Sequence, residues 1–228
     1  MSDDKRAGRG RGRKHSSGRG SSHGHEHWAE APPEYAFLPE RAKDFGADHA
    51  ALMPADQVVV DERVRLKCAV PVCPGYGNYL HCPPNTMSVK EFRQTLERYS
   101  VALLVQVESA RDSRDLDDAG LAGKDAVALE ESLHGEPNRL LGEIVNKLEA
   151  EAFKGGYYYA AGFSGGICLL CPSCVGVASG QPCRRPFEAR PSMEGVGIDV
   201  FKTAANARLP ISLSSDEPVR WTGLILVD

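Results

Sequence analysis

Apolar positions along the chain fall into short blocks, separated by polar, Pro-rich or Gly-rich breaks. The spacing inside each block predicts its element. Residues 28–56 read as loop and short helix, interrupted by Pro32, Pro33, Pro39 and Pro54. Gln57–Lys67 (QVVVDERVRLK) has a β-branched run followed by alternation and predicts a strand. Ser88 with Glu91 three residues on forms a capping box, and Phe92, Leu96 and Tyr99 share one helical face. Val101–Val107 (VALLVQV) predicts a buried strand, and residues 108–122 a polar loop.

A long helix is predicted over Lys124–Lys154. Pro137 should break or restart it, Leu140, Leu141, Ile144, Leu148 and Phe153 form its core stripe, and Gly155-Gly156 stops it. Tyr157–Phe163 reads as a strand, and at least one of its three tyrosines should be core. Residues 193–207 read as a helix despite Gly195 and Gly197, and residues 219–227 as a closing strand. Together these predict one α/β or α+β domain over residues 28–228. It would have a small mixed sheet flanked by helices and two cysteine-rich loops.

Residues 1–27 change the picture. They are Gly, Ser, Arg and His in irregular repeats, too polar to offset the entropy of ordering, and predict a disordered tail. His23, His25 and His27 alternate in it as a weak metal-capture option, and its Arg-Gly repeats suggest loose RNA contact. The tail has seven basic residues against three acidic ones, so a net charge of −4 for the whole chain leaves −8 for the rest. An acidic body argues against specific nucleic-acid binding. No stretch reaches the roughly 18–20 apolar residues that span a bilayer, and the basic N-terminus lacks the apolar region of a secretory signal. The cytoplasm is therefore the expected compartment. Apolar residues are 42% of the chain, enough for a core without disulfide staples.

Seven cysteines are then better read as metal ligands than as disulfides. They fall into two groups. Cys168-x2-Cys171-x2-Cys174-x8-Cys183 carries the strongest signal, because thiolates at three-residue steps in a tight loop can wrap one metal centre. The spacing resembles the ferredoxin run C-x2-C-x2-C-x3-C-P. Gly165-Gly166 before it permits unusual dihedrals, while Pro172 and Pro182 stiffen it. Zinc, which usually takes two separate CxxC knuckles, is the alternative. Cys68-x4-Cys73-x8-Cys82 lies in a Pro/Gly-dense stretch and offers only three thiolates. Cys183, His81 or a small molecule would fill the fourth position, or all seven cysteines would share one centre. An open iron there could act as a Lewis acid or accept sulfur.

Three segments, VRLKCAVPVCPGYGNYLHCPPNT, GGICLLCPSC with Cys183-Arg184-Arg185-Pro186, and ARPSMEGVGIDVFKTAANARLPI, resemble a known family. It is a prokaryotic family described as predicted metal-binding proteins, domain of unknown function 2284. The likeness covers roughly residues 57–228. It implies metal binding through these cysteines and no particular reaction.

Arg184, Arg185 and Arg190 lie near the second group and could offset cluster charge or bind an anion, with surface ion pairing as the plainer use. Glu194 and Asp199 follow. Asp199 reads as a cap, with metal ligation as the alternative. Tyr76 and Tyr79 could shield a cluster. No GxSxG, P-loop or dinucleotide fingerprint appears. Three functions follow. The first is an iron–sulfur protein, carrying one or two clusters of the 4Fe-4S kind and working with a redox partner protein. The second is an enzyme with an open-site cluster acting on a small molecule by sulfur transfer or dehydration. The third is a structural zinc protein that binds partners.

Overall fold

The run Val101–Val107 shows no polar alternation because both of its faces are covered. Val101, Leu103, Val105 and Val107 pack into one core, and Ala102 and Leu104 into another on the opposite face. The structure is a computed structural model describing residues 32–112, 126–212, 214 and 217–228, with backbone alone for residues 110–112 and 126–134. The reading of residues 1–27 lies outside it, as do residues 113–122 of the loop predicted over 108–122; residues 108–112 of that predicted loop instead continue the strand that starts at Val101.

The elements are α1 Phe37–Asp44, β1 His49–Pro54, α2 Glu62–Ala69, α3 Val89–Leu96, β2 Val101–Asp112, α4 Ala126–Lys154, β3 Ala161–Phe163, α5 Val200–Asn206 and β4 Pro218–Val227. The strands form one sheet in the order β1-β2-β4-β3. Each ladder in it is antiparallel, where a mixed sheet was expected; a parallel pairing occurs at the isolated bridge Ser164–Ser192. The register sets Leu104 opposite Leu224 and Leu103 opposite Ile225, so matching faces stay apolar. Helices α1 and α4 cover one face, with Leu38, Leu141, Ile144 and Leu148 fully buried. Phe92 of α3, Met193, Ile198 and Ala204 of α5 cover the other.

The capping box forms as predicted: Ser88 Oγ accepts from Glu91 N–H, and Glu91 accepts from Ser88 N–H at 2.8 Å. Further expectations need correction. Gln57–Lys67 is not a strand. It is a short 3-10 turn and an extended link, followed by α2, because Asp61 accepts from Arg63 N–H at 2.9 Å and caps a helix. Helix α4 continues through Pro137, which removes one backbone bond. Packing of the fully buried Leu141, Ile144, Val145 and Leu148 outweighs that loss of about 3 kcal/mol. Phe153 is 56% exposed, since the stripe reaches Ala152 in phase and the next residue turns about 100° away. Residues 157–160 form a turn, leaving a strand only at Ala161–Phe163; Tyr157 is the tyrosine that packs into the core. Residues 193–207 split at Gly197, whose φ of +91° no helix accommodates, into a 3-10 turn Glu194–Val196 and α5 capped by Asp199. Strand β1, hidden among prolines, pairs with β2.

Among the described residues no helix is long and apolar enough to cross a membrane.

Glu108 on β2 ties the sheet laterally. Its Oε1 accepts from Arg220 Nε of β4 at 3.0 Å and lies 3.1 Å from His49 Nε2 of β1. Hydrogen bonding to His49, and then to Arg220, holds the carboxyl below its ordinary 4.5. The unfolded chain therefore protonates first as pH falls, so this stabilisation is present above that value and lost below it. Glu108→Gln should lower the urea midpoint near neutral pH, by less than about 1 kcal/mol of stability, and the difference from wild type should shrink progressively as pH falls below 4.5 through the folded-state pKa.

Candidate metal centre

Both cysteine groups meet around a small apolar cluster separate from the two main cores. Cys82, Ile167 and Leu169 are buried together, with Cys73 and Tyr79 packed against them. Ile167 and Leu169 flank Cys168, so this cluster joins the two loops.

Cys68 lies on the last turn of α2, a helix where a loop was expected. The chain then folds through short turns. Cys73 N–H donates to Cys68 O at 3.0 Å, Tyr76 N–H to Cys73 O at 3.0 Å and Cys82 N–H to Tyr79 O at 3.2 Å. Gly75 is required by contact: a Cβ there would lie 2.8 Å from Cys82 Sγ and 3.0 Å from Ile167 Cγ2. Cys68, Cys73 and Cys82 all line one open cavity of about 890 Å³. Val64, Phe201, Ile211 and Trp221 give it apolar walls, Tyr76 lies beside the cysteines, and Lys67 is among its cationic residues. Glu194 lines it too. Beside that carboxyl group stand the Ser192 hydroxyl and the N–H groups of Gly166 and Glu194 itself, yet Oε2 is closed off from solvent and has no hydrogen-bond partner. Burial pushes the carboxyl pKa upward.

Cys168, Cys171, Cys174 and Cys183 line a second, tight space of about 20 Å³. Helix α4 holds the approach to it. Asn138 Nδ2 donates to Gly165 O at 3.1 Å, and Arg139 Nε to Leu169 O at 3.0 Å. Three sulfurs face an N–H two residues ahead. Gly176 N–H points to Cys174 Sγ at 3.5 Å, Arg185 N–H to Cys183 Sγ at 3.4 Å, and Leu170 N–H to Cys168. The φ of +76° at Gly176 is one that favours glycine. Such donors stabilise a thiolate over a thiol.

The three arginines already have protein partners. Arg184 Nη1 donates to Ser173 O at 2.7 Å, tying the chain after Cys183 to the segment between Cys171 and Cys174. Arg185 pairs with Glu188 at 3.0 Å. Arg190 grips Glu149 with two bonds, at 2.6 and 2.9 Å. The anion-binding reading thus gives way, for Arg185 and Arg190, to ion pairing. Asp199 caps α5 and pairs with Lys202, as the plainer reading had it.

The candidates for a fourth position beside Cys68, Cys73 and Cys82 fall elsewhere. Cys183 lines the second space, and so does His81, with its Nε2 buried and unpartnered. Burial, and then Arg190, lowers the His81 pKa. Glu194, to which the sequence assigned no task, lines the cavity of the three cysteines with Asp61, Asp199 and Glu217, and is the carboxylate of these whose charge bears on Cys68 and whose Oε2 lacks a partner. No spacing rule could have found it, because more than 100 residues separate it from them.

Burial raises the thiol pKa of Cys68 and Cys168 and pushes Cys82 up to about 12. Cys82 also feels Cys73 and Cys68 on one side and Cys168 and Cys174 on the other, so the two groups are electrostatic neighbours. A metal taken up here must displace these protons. Among the described residues, no three His, Cys, Asp or Glu side chains converge as they would on a single metal ion; the cysteines ring spaces instead.

A family described as predicted metal-binding protein matches residues 51–227. The chain belongs to this family, DUF2284. The DUF2284 match runs from β1 to the end of β4 and takes in all seven cysteines and Glu194. No curated protein and no solved structure matches the chain. The donor set suits a metal: four thiols around one space, backbone N–H groups facing three of their sulfurs, and three more thiols beside a carboxylate oxygen without a partner.

Proposed function

We propose that this DUF2284 protein is an iron–sulfur redox protein with two centres. Cys168, Cys171, Cys174 and Cys183 hold a closed cluster with four thiolates of its own. Cys68, Cys73 and Cys82 hold a second centre on the wall of the open cavity. Both clusters are of the four-iron kind, given the ferredoxin-like spacing of the first set. The observation that carries this reading is the repeated N–H···S arrangement, at Cys168, Cys174 and Cys183, around a single space. Hydrogen bonds to cluster sulfurs are among the factors that set reduction potential. Cys82, between the groups, makes the closed cluster a relay from a redox partner to the open one. Free thiols and oxygen-sensitive clusters suit a cytoplasmic setting.

The cavity of about 890 Å³ favours a second reading, in which the three-cysteine centre acts as an enzyme site on a small molecule. Sulfur transfer and dehydration are the reaction types that an open iron supports.

Anaerobic purification with iron, sulfide and zinc determination tests both. A brown protein with matched iron and sulfide that can be reduced reversibly is expected. Stoichiometric zinc with no iron, after anaerobic reconstitution has failed as well, would sink the iron–sulfur reading and leave a structural zinc protein.

A further inference from the structure

We infer that Glu194 supplies the fourth, non-cysteine ligand of the metal centre at Cys68, Cys73 and Cys82, through its Oε2. The inference rests on the iron–sulfur reading and deepens it.

Three thiolates leave one metal position of a four-iron centre without a protein donor. Cys183 and His81 face the other space. Glu194 faces the right one, and its charge bears on the Cys68 thiol. Its Oε2 is buried and unpartnered, although a hydroxyl and two backbone N–H groups stand beside the same carboxyl. A buried carboxylate oxygen without a partner is costly, and structures keep one where an ion or ligand completes it. Oxygen donors are compatible with iron.

The scaffold is built to hold this side chain still. Glu194 opens a 3-10 turn between the fully buried Met193 and Val196. Gly195 N–H donates to Ser192 Oγ at 3.0 Å, and Thr86 Oγ1 to Gly195 O at 3.0 Å. The turn is bound directly to the start of the cysteine-bearing helix, through Asp61 N–H to Gly197 O at 2.9 Å. Asp61 caps α2, which ends on Cys68. One rigid unit therefore carries both the carboxylate and the first cysteine.

The test compares full-length wild type, Glu194→Ala and Glu194→Cys, each reconstituted anaerobically with iron and sulfide. In Glu194→Ala the unheld iron should leave on oxidation, so about one iron per chain is lost and the EPR signal of a three-iron cluster appears. Glu194→Cys offers a thiolate whose Sγ lies two bonds short of the Oε2 position, so it should restore part of the iron and weaken that signal. A purely structural carboxyl would not be rescued in this way. If Glu194→Ala fails to fold, Glu194→Gln keeps the shape, lacks the charge and should show the same iron loss. Two full clusters in wild type with unchanged iron and EPR in the Ala or Gln variant would overturn the inference and leave the iron–sulfur reading standing. A wild type that takes up no iron would overturn both.

Discussion

Cys171→Ser is expected to remove one share of the bound metal and Cys73→Ser the other, each leaving the remaining share in place. Cys171 lines the tight space with three other cysteines, and Cys73 lines the open cavity with two. A serine oxygen is a poor substitute for a thiolate on a soft metal. Each variant should therefore keep about half of the wild-type iron, on the two-cluster reading. Neither side chain is fully buried, so the change should disturb the apo fold little. Iron determination beside far-UV circular dichroism of each variant provides the check. If either substitution strips all the iron from a protein that remains folded, the seven cysteines serve one shared centre. The nearness of Cys82 to both groups makes that the competing outcome.

The grouping of the cysteines into two sets was legible in the sequence because each set is local. Spacing within 16 residues defines each one, and the structure keeps each set around its own space. The elements with strong local signals also formed where expected. The capping box at Ser88 and Glu91 and the doubly buried run from Val101 are examples. Misreadings came where a single residue overrode a longer pattern. Asp61 turned an apparent strand into a helix, and Gly197 split an apparent helix into a 3-10 turn and α5. Those two corrections have a consequence for the site, since they create the α2 and Glu194 unit. The carboxylate was invisible in the sequence for the same reason. Its relation to Cys68 depends on the Asp61–Gly197 backbone bond, which joins positions 136 residues apart.

Arg185 and Arg190, after Cys183, find carboxylates of the protein itself as partners. Arg190 is committed to Glu149 on α4, a residue that also accepts from Gly162 N–H of β3 at 2.7 Å. The pair thus braces the chain between the sheet and the second cysteine loop. Its side chains are about one-fifth exposed, so it is a partly buried, bidentate contact of the kind that fixes geometry. Charge near the cysteines is in this way spent on placement, while the open cavity keeps Lys67 among its lining residues.

Gly75→Ala should abolish the three-cysteine site while sparing the fold and the four-cysteine site. The added Cβ would lie 2.8 Å from Cys82 Sγ and 3.0 Å from Ile167 Cγ2, closer than real Cβ contacts come. Ile167 is 4% exposed and packed between the loops, so it has little room to retreat. The sulfur of Cys82 is the lighter obstacle and would turn aside. In the apo protein that costs only the overpacking term, roughly 1–3 kcal/mol. For metal binding it is decisive, since one of only three thiolates then points away from its partners. The variant should keep its circular dichroism spectrum and the iron held by Cys168, Cys171, Cys174 and Cys183. It should lose the iron that Cys73→Ser loses, and the double variant should lose no more than either single one. Full iron retention in Gly75→Ala would mean that Cys82 is not a ligand.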